Sequence, residues 1–237
     1  MLKIFPKNSR GKDLIVGDIH GQFGRLSQAL LVMGFDPRAG DRLFSVGDLV
    51  DRGPDSMECL QWLQQPWFHA VKGNHEMMAM KWAEGTLDPE LYRANGGEWN
   101  LKNPQKVRDL FAKAFSDLPL AIELATENGP VGIVHACCPY SGWTRFKTML
   151  TSQHLTSGMR DYLVEEATTC RDRIKEMDSS NISDVRAVVV GHTVVQRPTS
   201  LGNTIFIETG AWIDNSRAFT FLDAHTLRPT ATACVPA

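Results

Sequence analysis

No two cysteines stand at the CxxC spacing of a thiolate metal site, and no apolar run approaches the roughly 20 residues that cross a bilayer. The five cysteines, Cys59, Cys137, Cys138, Cys170 and Cys234, form an odd and unevenly spaced set. That pattern argues against a disulfide framework and for a reducing compartment, read as the cytoplasm. Nor is there an excess of either charge: 25 Lys and Arg face 27 Asp and Glu, a formal net charge of -2. A nucleic-acid or membrane-surface binder needs a concentrated positive field, so neither partner is expected. The opening MLKIFPKNSRGKDLIVGD carries Pro6 between Lys3 and Lys7 where a secretory apolar segment would lie, so the mature chain is expected to begin at or near Met1.

What is present is enough apolar material for one large domain. The 237 residues are 43% hydrophobic, which supplies a core without metal or disulfide staples. Over the first 75 residues one pattern recurs: a β-rich run, a Gly-Asp or Gly-Asn step, then a helical stretch. Asp13 to Val16 leads into Gly17-Asp18, and Phe23, Leu26, Leu30 and Met33 then follow at helical spacing. Arg42 to Val46 leads into Gly47-Asp48, with a helix expected from Asp55 to Gln64 behind Pro54. Phe68 to Val71 leads into Gly73-Asn74 and a Met-rich helix to Trp82. Two βαβ steps follow, with three polar loops at the carboxyl ends of neighbouring strands.

Residues 86–119 read as a helical insertion, and Leu120 to Thr126 with Val131 to Val134 as a hairpin ending at His135. Residues 136–185 read as a loop-rich insertion with one helix around Met159 to Ala167. Strand signals return at Ala187 to Val190, Thr204 to Glu208 and Ala218 to Leu222. A single domain over 1–237 is expected.

The chemistry sits in GDIHG (17–21), GDLVDRG (47–53), GNHE (73–76), HA (135–136) and GHT (191–193). Singly, each has an ordinary explanation, since Gly-Asp after a strand is often a turn and a lone histidine is usually structural. Jointly, Asp18, His20, Asp48, Asn74, His135 and His192 place oxygen and nitrogen donors at the same kind of position on successive strands. Desolvating such a set is costly unless it meets metal ions. Imidazoles mixed with carboxylate and amide oxygens, without thiolate, suit Mn²⁺, with Fe or Zn²⁺ as alternatives, better than Ca²⁺ or Cu(I). The donors are too many for one open catalytic ion but match two ions about 3.5–4 Å apart sharing a carboxylate.

In this order the motifs, with FSVGDLVDRG and WFHAVKGNHE, resemble the metal-dependent phosphoprotein phosphatase family, in particular its bacterial and bacteriophage-lambda-type serine/threonine members. The resemblance runs from about Leu14 to Leu222. It implies an α/β fold, the calcineurin-like metallophosphoesterase fold, with a central β-sandwich flanked by helices. It implies hydrolysis of phosphomonoesters in phosphorylated proteins or peptides by a hydroxide bridging two metal ions, with dual phosphotyrosine activity left open, in a monomer. By resemblance Asp18 and His20 hold the first metal, Asp48 bridges, and Asn74, His135 and His192 hold the second. His75 resembles the general acid, held by Asp51. Arg52 and Asn74 resemble phosphate-side residues, and Arg171 resembles a second phosphate-binding arginine for which Arg173 competes. The roles agree with elementary chemistry: guanidinium groups take phosphate oxygens in bidentate fashion, and an imidazole titrating near neutrality suits proton donation to an alkoxide.

Other readings are weaker on these residues. A cysteine phosphatase needs Arg six positions after its Cys, and Cys138 meets Arg145 one position too late. A dinucleoside-tetraphosphate hydrolase of the same superfamily commonly lacks the Asp51-Arg52 pair and has Asp in place of Glu76. A phosphodiesterase usually ends in GHxH, where this chain has Val194. A non-catalytic phosphoprotein-binding module would not fill every donor position. Two departures from the family stand out, Cys137 after His135-Ala136 and Glu208 where Asp is usual. Trp62, Trp67, Trp82, Trp99 and Trp212 are expected to pack core or cap, whereas Trp143 and Phe146 fit a core or a substrate groove equally. His69, His154 and His225 carry no assigned role.

Overall fold

A computed structural model describes residues 1–139 and 141–231, so Tyr140 and Cys234 lie outside the described residues. Two sheets stack face to face. The first contains β1 (Leu2–Phe5), β5 (Ala121–Leu124), β6 (Val131–Val134), β7 (Ala187–Val190), β8 (Thr199–Leu201) and β9 (Thr204–Phe206), in the order β1-β5-β6-β7-β9-β8. The second contains β2 (Asp13–Val16), β3 (Arg42–Ser45), β4 (Phe68–Ala70), β10 (Thr220–Asp223) and β11 (Pro229–Ala231), in the order β11-β10-β2-β3-β4. Strands β2, β3 and β4 are parallel and in consecutive order, with Val16 opposite Ser45 and Ser45 opposite Ala70. Their carboxyl ends therefore line up, and the three Gly-Asp and Gly-Asn loops leave the sheet side by side.

Alternation along the strands divides the core into three layers. Ile15, Phe44, Ile133, Val189 and Leu222 fill the space between the sheets. Leu14, Val16 and Leu43 point the other way, onto α1 (Phe23–Val32), α2 (Cys59–Leu63), α3 (Asn74–Ala83) and the insertion. Val188 and Val190 point outward from the first sheet onto the later helices. A β-sandwich flanked by helices results, as the resemblance implied. Helix α1 buries Phe23, Leu26, Ala29 and Leu30, the face its spacing predicts.

The segment 86–119, expected as an insertion, is helical: α4 (Pro89–Ala94), α5 (Glu98–Leu101) and α6 (Gln105–Ser116), the last packed along α3. The stretch 136–185 differs from its expectation. Beyond the anticipated helix, α8 (Ser157–Thr168), it carries α7 (Trp143–Thr151) and α9 (Asp172–Lys175). In helix α7, Trp143, Phe146 and Leu150 form one buried face. Trp143 and Phe146 are therefore core residues of the outer layer, not groove linings. Strands β1, β8 and β11, each of three or four residues, also escaped the periodicity reading. No described helix is long and apolar enough to cross a membrane.

Candidate metal centre and active site

Two carboxylates anchor the centre, each held from behind by a glutamate. Glu208 takes the Asp18 amide on Oε2 at 2.9 Å and the Gly210 amide on Oε1 at 2.7 Å. Glu76 takes the amides of Asp48 at 3.0 Å, Leu49 at 2.8 Å and Gly73 at 2.7 Å. Each aspartate loop leaves its strand, bends at once, and has its freed N–H groups collected by an acid from a distant element. Burial, followed by the nearby Asp48 charge for Glu76, raises both glutamates to about 7. Glycine makes the approach feasible: a Cβ on Gly73 would lie 2.2 Å from Asp48 Oδ1, and one on Gly191 2.1 Å from Asp18 Oδ1.

The backbone is strained at the same residues. Of the eight non-glycine residues with positive φ among those described, five are His20, Asp48, Asp51, Arg52 and His192. A left-handed conformation is unfavourable for such side chains and persists where surrounding bonds overdetermine it.

Every imidazole in the set has one nitrogen committed to a main-chain carbonyl. His20 Nδ1 donates to Val50 O at 3.1 Å, His135 Nδ1 to Val46 O at 2.8 Å, and His192 Nε2 to Thr169 O at 3.0 Å. The opposite nitrogens then carry lone pairs, and all face the aspartates. His20 Nε2 is 3.9 Å from Asp18 Oδ2 and 3.6 Å from Asp48 Oδ2. His135 Nε2 is 3.4 Å from Asp48 Oδ2, 3.1 Å from Asn74 Oδ1 and 3.1 Å from His192 Nδ1. Donor atoms turned on one another this closely are repulsive unless protons or metal ions lie among them, and the mixed imidazole, carboxylate and amide set fits metal ions. His20-Asp48-His75 and Asp48-His135-His192 form two clusters whose ligand atoms all lie within 4.8 Å of one another, and Asp48 belongs to both.

The electrostatics carry the same signature. Burial, followed by the neighbouring Glu208 charge, pushes Asp18 well above the usual carboxylate range. Burial opposes ionisation of Asp48 too, but His135 and His75 outweigh it and hold that carboxyl well below. Burial works against a charge on His135, yet Asp48 and Asp18 prevail and raise it to about 9. His20 falls well below its ordinary value through burial and the adjacent His75, and His192 falls to about 3 through burial and the adjacent His135.

Beside the clusters, His75 Nδ1 meets Asp51 Oδ2 at 2.7 Å, both groups buried. The other Asp51 oxygen accepts from Trp99 Nε1 at 2.6 Å and from Tyr92 Oη at 3.3 Å. Asp51 therefore accepts, His75 Nδ1 donates, and His75 Nε2 faces the clusters 3.8 Å from Asp48 Oδ2. Arg52, exposed at the rim, places one terminal nitrogen 2.8 Å from His20 Nε2 and the other 3.1 Å from His75 Nε2. Its guanidinium lies 3.9 Å over the ring of Trp212, whose Nε1 donates to Glu208 at 3.1 Å.

All the sequence-derived positions except Arg171 thus converge through these contacts. Arg171 is exposed at the start of α9, close enough for its charge to act on His192. Arg173 is engaged elsewhere, donating to Asp178 O at 3.1 Å and Ser180 O at 2.8 Å. Cys137 is buried, its thiol pushed up by burial and donating to Cys170 O at 3.4 Å. Sequence reasoning missed Tyr92, Trp99 and Trp212 as site residues and gave Glu76 and Glu208 no mechanical role. Only Glu76 had a local signal, since an acid three residues after Gly73 at a helix start is a capping arrangement.

Calcineurin-like phosphoesterase is the family whose sequence profile matches, over residues 13–196. The chain belongs to that family. This phosphoesterase is 34% identical over 204 residues to serine/threonine-protein phosphatase 2 of Escherichia coli, covering 83% of this chain and 86% of that one. It is 35% identical over 201 residues to serine/threonine-protein phosphatase 1 of Salmonella typhimurium, covering 83% and 85%. In fold it is similar to a solved protein serine/threonine phosphatase from Saccharomyces cerevisiae, with a TM-score of 0.63 at 18% identity over 100% of this chain and 84% of that one. Calcineurin-like phosphoesterases use a dinuclear metal centre, and the two clusters sharing Asp48 could hold one.

Proposed function

We propose that this phosphoesterase is a serine/threonine protein phosphatase that hydrolyses phosphomonoesters in phosphorylated proteins. The observation that carries the reading is the His75–Asp51 pair with Arg52 beside it at the rim of the two clusters. Similarity over more than four-fifths of the chain to two bacterial serine/threonine phosphatases supports it. Asp18, His20 and Asp48 are assigned to one ion and Asp48, Asn74, His135 and His192 to the other, with Mn²⁺ favoured by the mixed oxygen and imidazole donors. Two such cations, when bound, supply a water of lowered pKa and positive charge against the phosphoryl group.

The remaining work falls to the protein. Arg52, stacked on Trp212, presents its two terminal nitrogens to the phosphoryl oxygens, and Arg171 approaches from the His192 side. Asn74, half-buried at the start of α3, stands on that phosphate side as well. His75 donates its Nε2 proton to the departing seryl or threonyl oxygen while Asp51 holds the Nδ1 proton and stabilises the imidazolium. Trp99 and Tyr92 occupy the second Asp51 oxygen and fix the carboxylate in plane. The odd cysteine set supports a cytoplasmic location, and a monomer is the working assembly.

Metal-stripped protein reloaded with single metals and assayed on phosphoseryl, phosphotyrosyl and dinucleotide substrates tests the reading. Phosphate release from phosphoseryl peptides with Mn²⁺ approaching two ions per chain is the expected result. Preference for the dinucleotide, or full activity at one ion per chain, overturns the substrate or the bridging role of Asp48 respectively.

A further inference from the structure

The two chain segments that flank Glu208 carry the active centre outward into a second feature. Val195 N donates to Glu208 O at 2.8 Å, so the segment after His192 runs beside the one that leads to Trp212. Where they diverge, an open groove of about 530 Å³ is lined by Gln196, Arg197, Thr209 and Arg217 among others, and among the described residues no carboxylate lines it. In a chain of nearly balanced charge, a groove lined by two arginines, only one of them with a carboxylate nearby, is a local excess of positive charge.

Both arginines are exposed, and among the described residues their bonds leave donors over. Among the described residues no carboxylate lies within ion-pair distance of Arg197. Among the described residues the Arg217 side chain has long polar contacts, Nε at 3.6 Å from Asp214 Oδ2 and one terminal nitrogen at 3.4 Å from Thr209 O. The groove's frame is nonetheless built. Thr209 Oγ1 bonds Thr220 Oγ1 at 2.9 Å, and Arg25 donates to Ala211 O and, at 2.6 Å, to Arg217 O. Along both segments the step from centre to groove passes an exposed apolar side chain, Val194 two residues after His192 and Ile213 next to Trp212, at 38% and 43% exposure.

We propose that this groove is a recognition subsite for acidic side chains of the substrate protein, received by Arg197 and Arg217 while the phosphoryl group lies at Arg52. The proposal rests on the protein-phosphatase reading and narrows it to phosphoserine or phosphothreonine with acidic residues nearby. Five residues of chain separate His192 from Arg197, a span of at most about 18 Å, so the acidic residue lies within about five positions of the phosphorylated one. The bulk of the peptide crosses Val194 and Ile213.

The test uses the full chain loaded with Mn²⁺ and two phosphothreonine peptides that differ only in Glu or Gln within five positions of the phosphothreonine. The acidic peptide is expected to have a kcat/KM about three- to tenfold higher, mostly through KM, with the preference shrinking as salt is added. Arg197→Gln and the double variant with Arg217→Gln should lose that preference, while Arg197→Lys keeps part of it. Aryl phosphate, which has no chain to reach the groove, serves as the control for folding and chemistry. Equal kcat/KM for the two peptides in the parent protein, or a preference that survives in the double variant, overturns the subsite while leaving the phosphatase reading intact. Loss of dinucleoside-tetraphosphate hydrolysis in the double variant, with peptide preference unchanged, overturns it in favour of a polyphosphate ligand. Cleavage of aryl phosphate with neither phosphopeptide accepted overturns the parent reading and the subsite together.

Discussion

His75 Nδ1 and Asp51 Oδ2 lie 2.7 Å apart in a buried pair, although 24 residues separate them in the chain. The carboxylate fixes the tautomer, so the imidazole turns Nε2 toward the clusters. His75→Asn is expected to retain both ions and to hydrolyse aryl phosphates, whose phenolate departs unaided. Turnover on phosphoserine peptides should fall by most of the 10²- to 10⁴-fold that general acid catalysis supplies. Comparing kcat on the two substrate classes with metal content measured on the same samples decides it; equal losses would leave His75 a positioning role only.

Trp99 reaches from the insertion into this pair, its Nε1 2.6 Å from Asp51 Oδ1 and its ring 4.9 Å from Phe111. Trp99→Phe keeps an aromatic against Phe111 but removes one bond to a buried carboxylate. Such a bond is worth about 1.5–3 kcal/mol, so kcat on seryl substrates should drop roughly tenfold or more with metal content unchanged. An undisturbed pH–rate profile and kcat would mean that the insertion only covers the site.

The two arginines at 171 and 173 should separate by what they lose. Arg171→Ala is expected to lower kcat/KM and phosphate affinity by about 1.5–3 kcal/mol, roughly 10- to 150-fold, without a change in melting temperature. Arg173 holds the turn at Asp178 and Ser180, so Arg173→Ala should lower the melting temperature and leave kcat/KM nearly intact. The reverse ranking would exchange their assignments.

His69 offers a stability test away from the two clusters. It packs on Phe5 and Phe44 with ring centroids 4.4 and 5.2 Å away, and burial, then Lys3 and Arg42, lowers it to about 4 against the pull of Asp13. The folded state therefore refuses a proton that the unfolded chain accepts near pH 6.5. This stability is complete above pH 6.5 and is lost as pH falls from there toward 4. Urea midpoints at pH 7.5 and 5 should diverge more in the parent protein than in His69→Phe; identical divergence would remove His69 as a source.

Asp18, Asp48, Asn74 and His192 were legible in the chain because each follows a short β run and a glycine, so spacing alone put Asp18, Asp48 and Asn74 at the ends of neighbouring strands. Parallel β2, β3 and β4 with helices between them follow from the same local alternation. Tertiary structure decided everything that depends on distant segments meeting. The two sheets associate because Ile15 and Phe44 bury one face against Ile133 and Val189, and no periodicity within either segment specifies that partner. Glu208 reaches the Asp18 amide across 190 residues, and Trp99 reaches Asp51 across 48. A buried carboxylate or indole at such a point is chosen by the unsatisfied groups it meets, so its role exists only once the chain has closed around it. Local spacing thus specified which groups gather at the strand ends, and packing between remote elements set their tautomers, their charges and the direction in which each one faces.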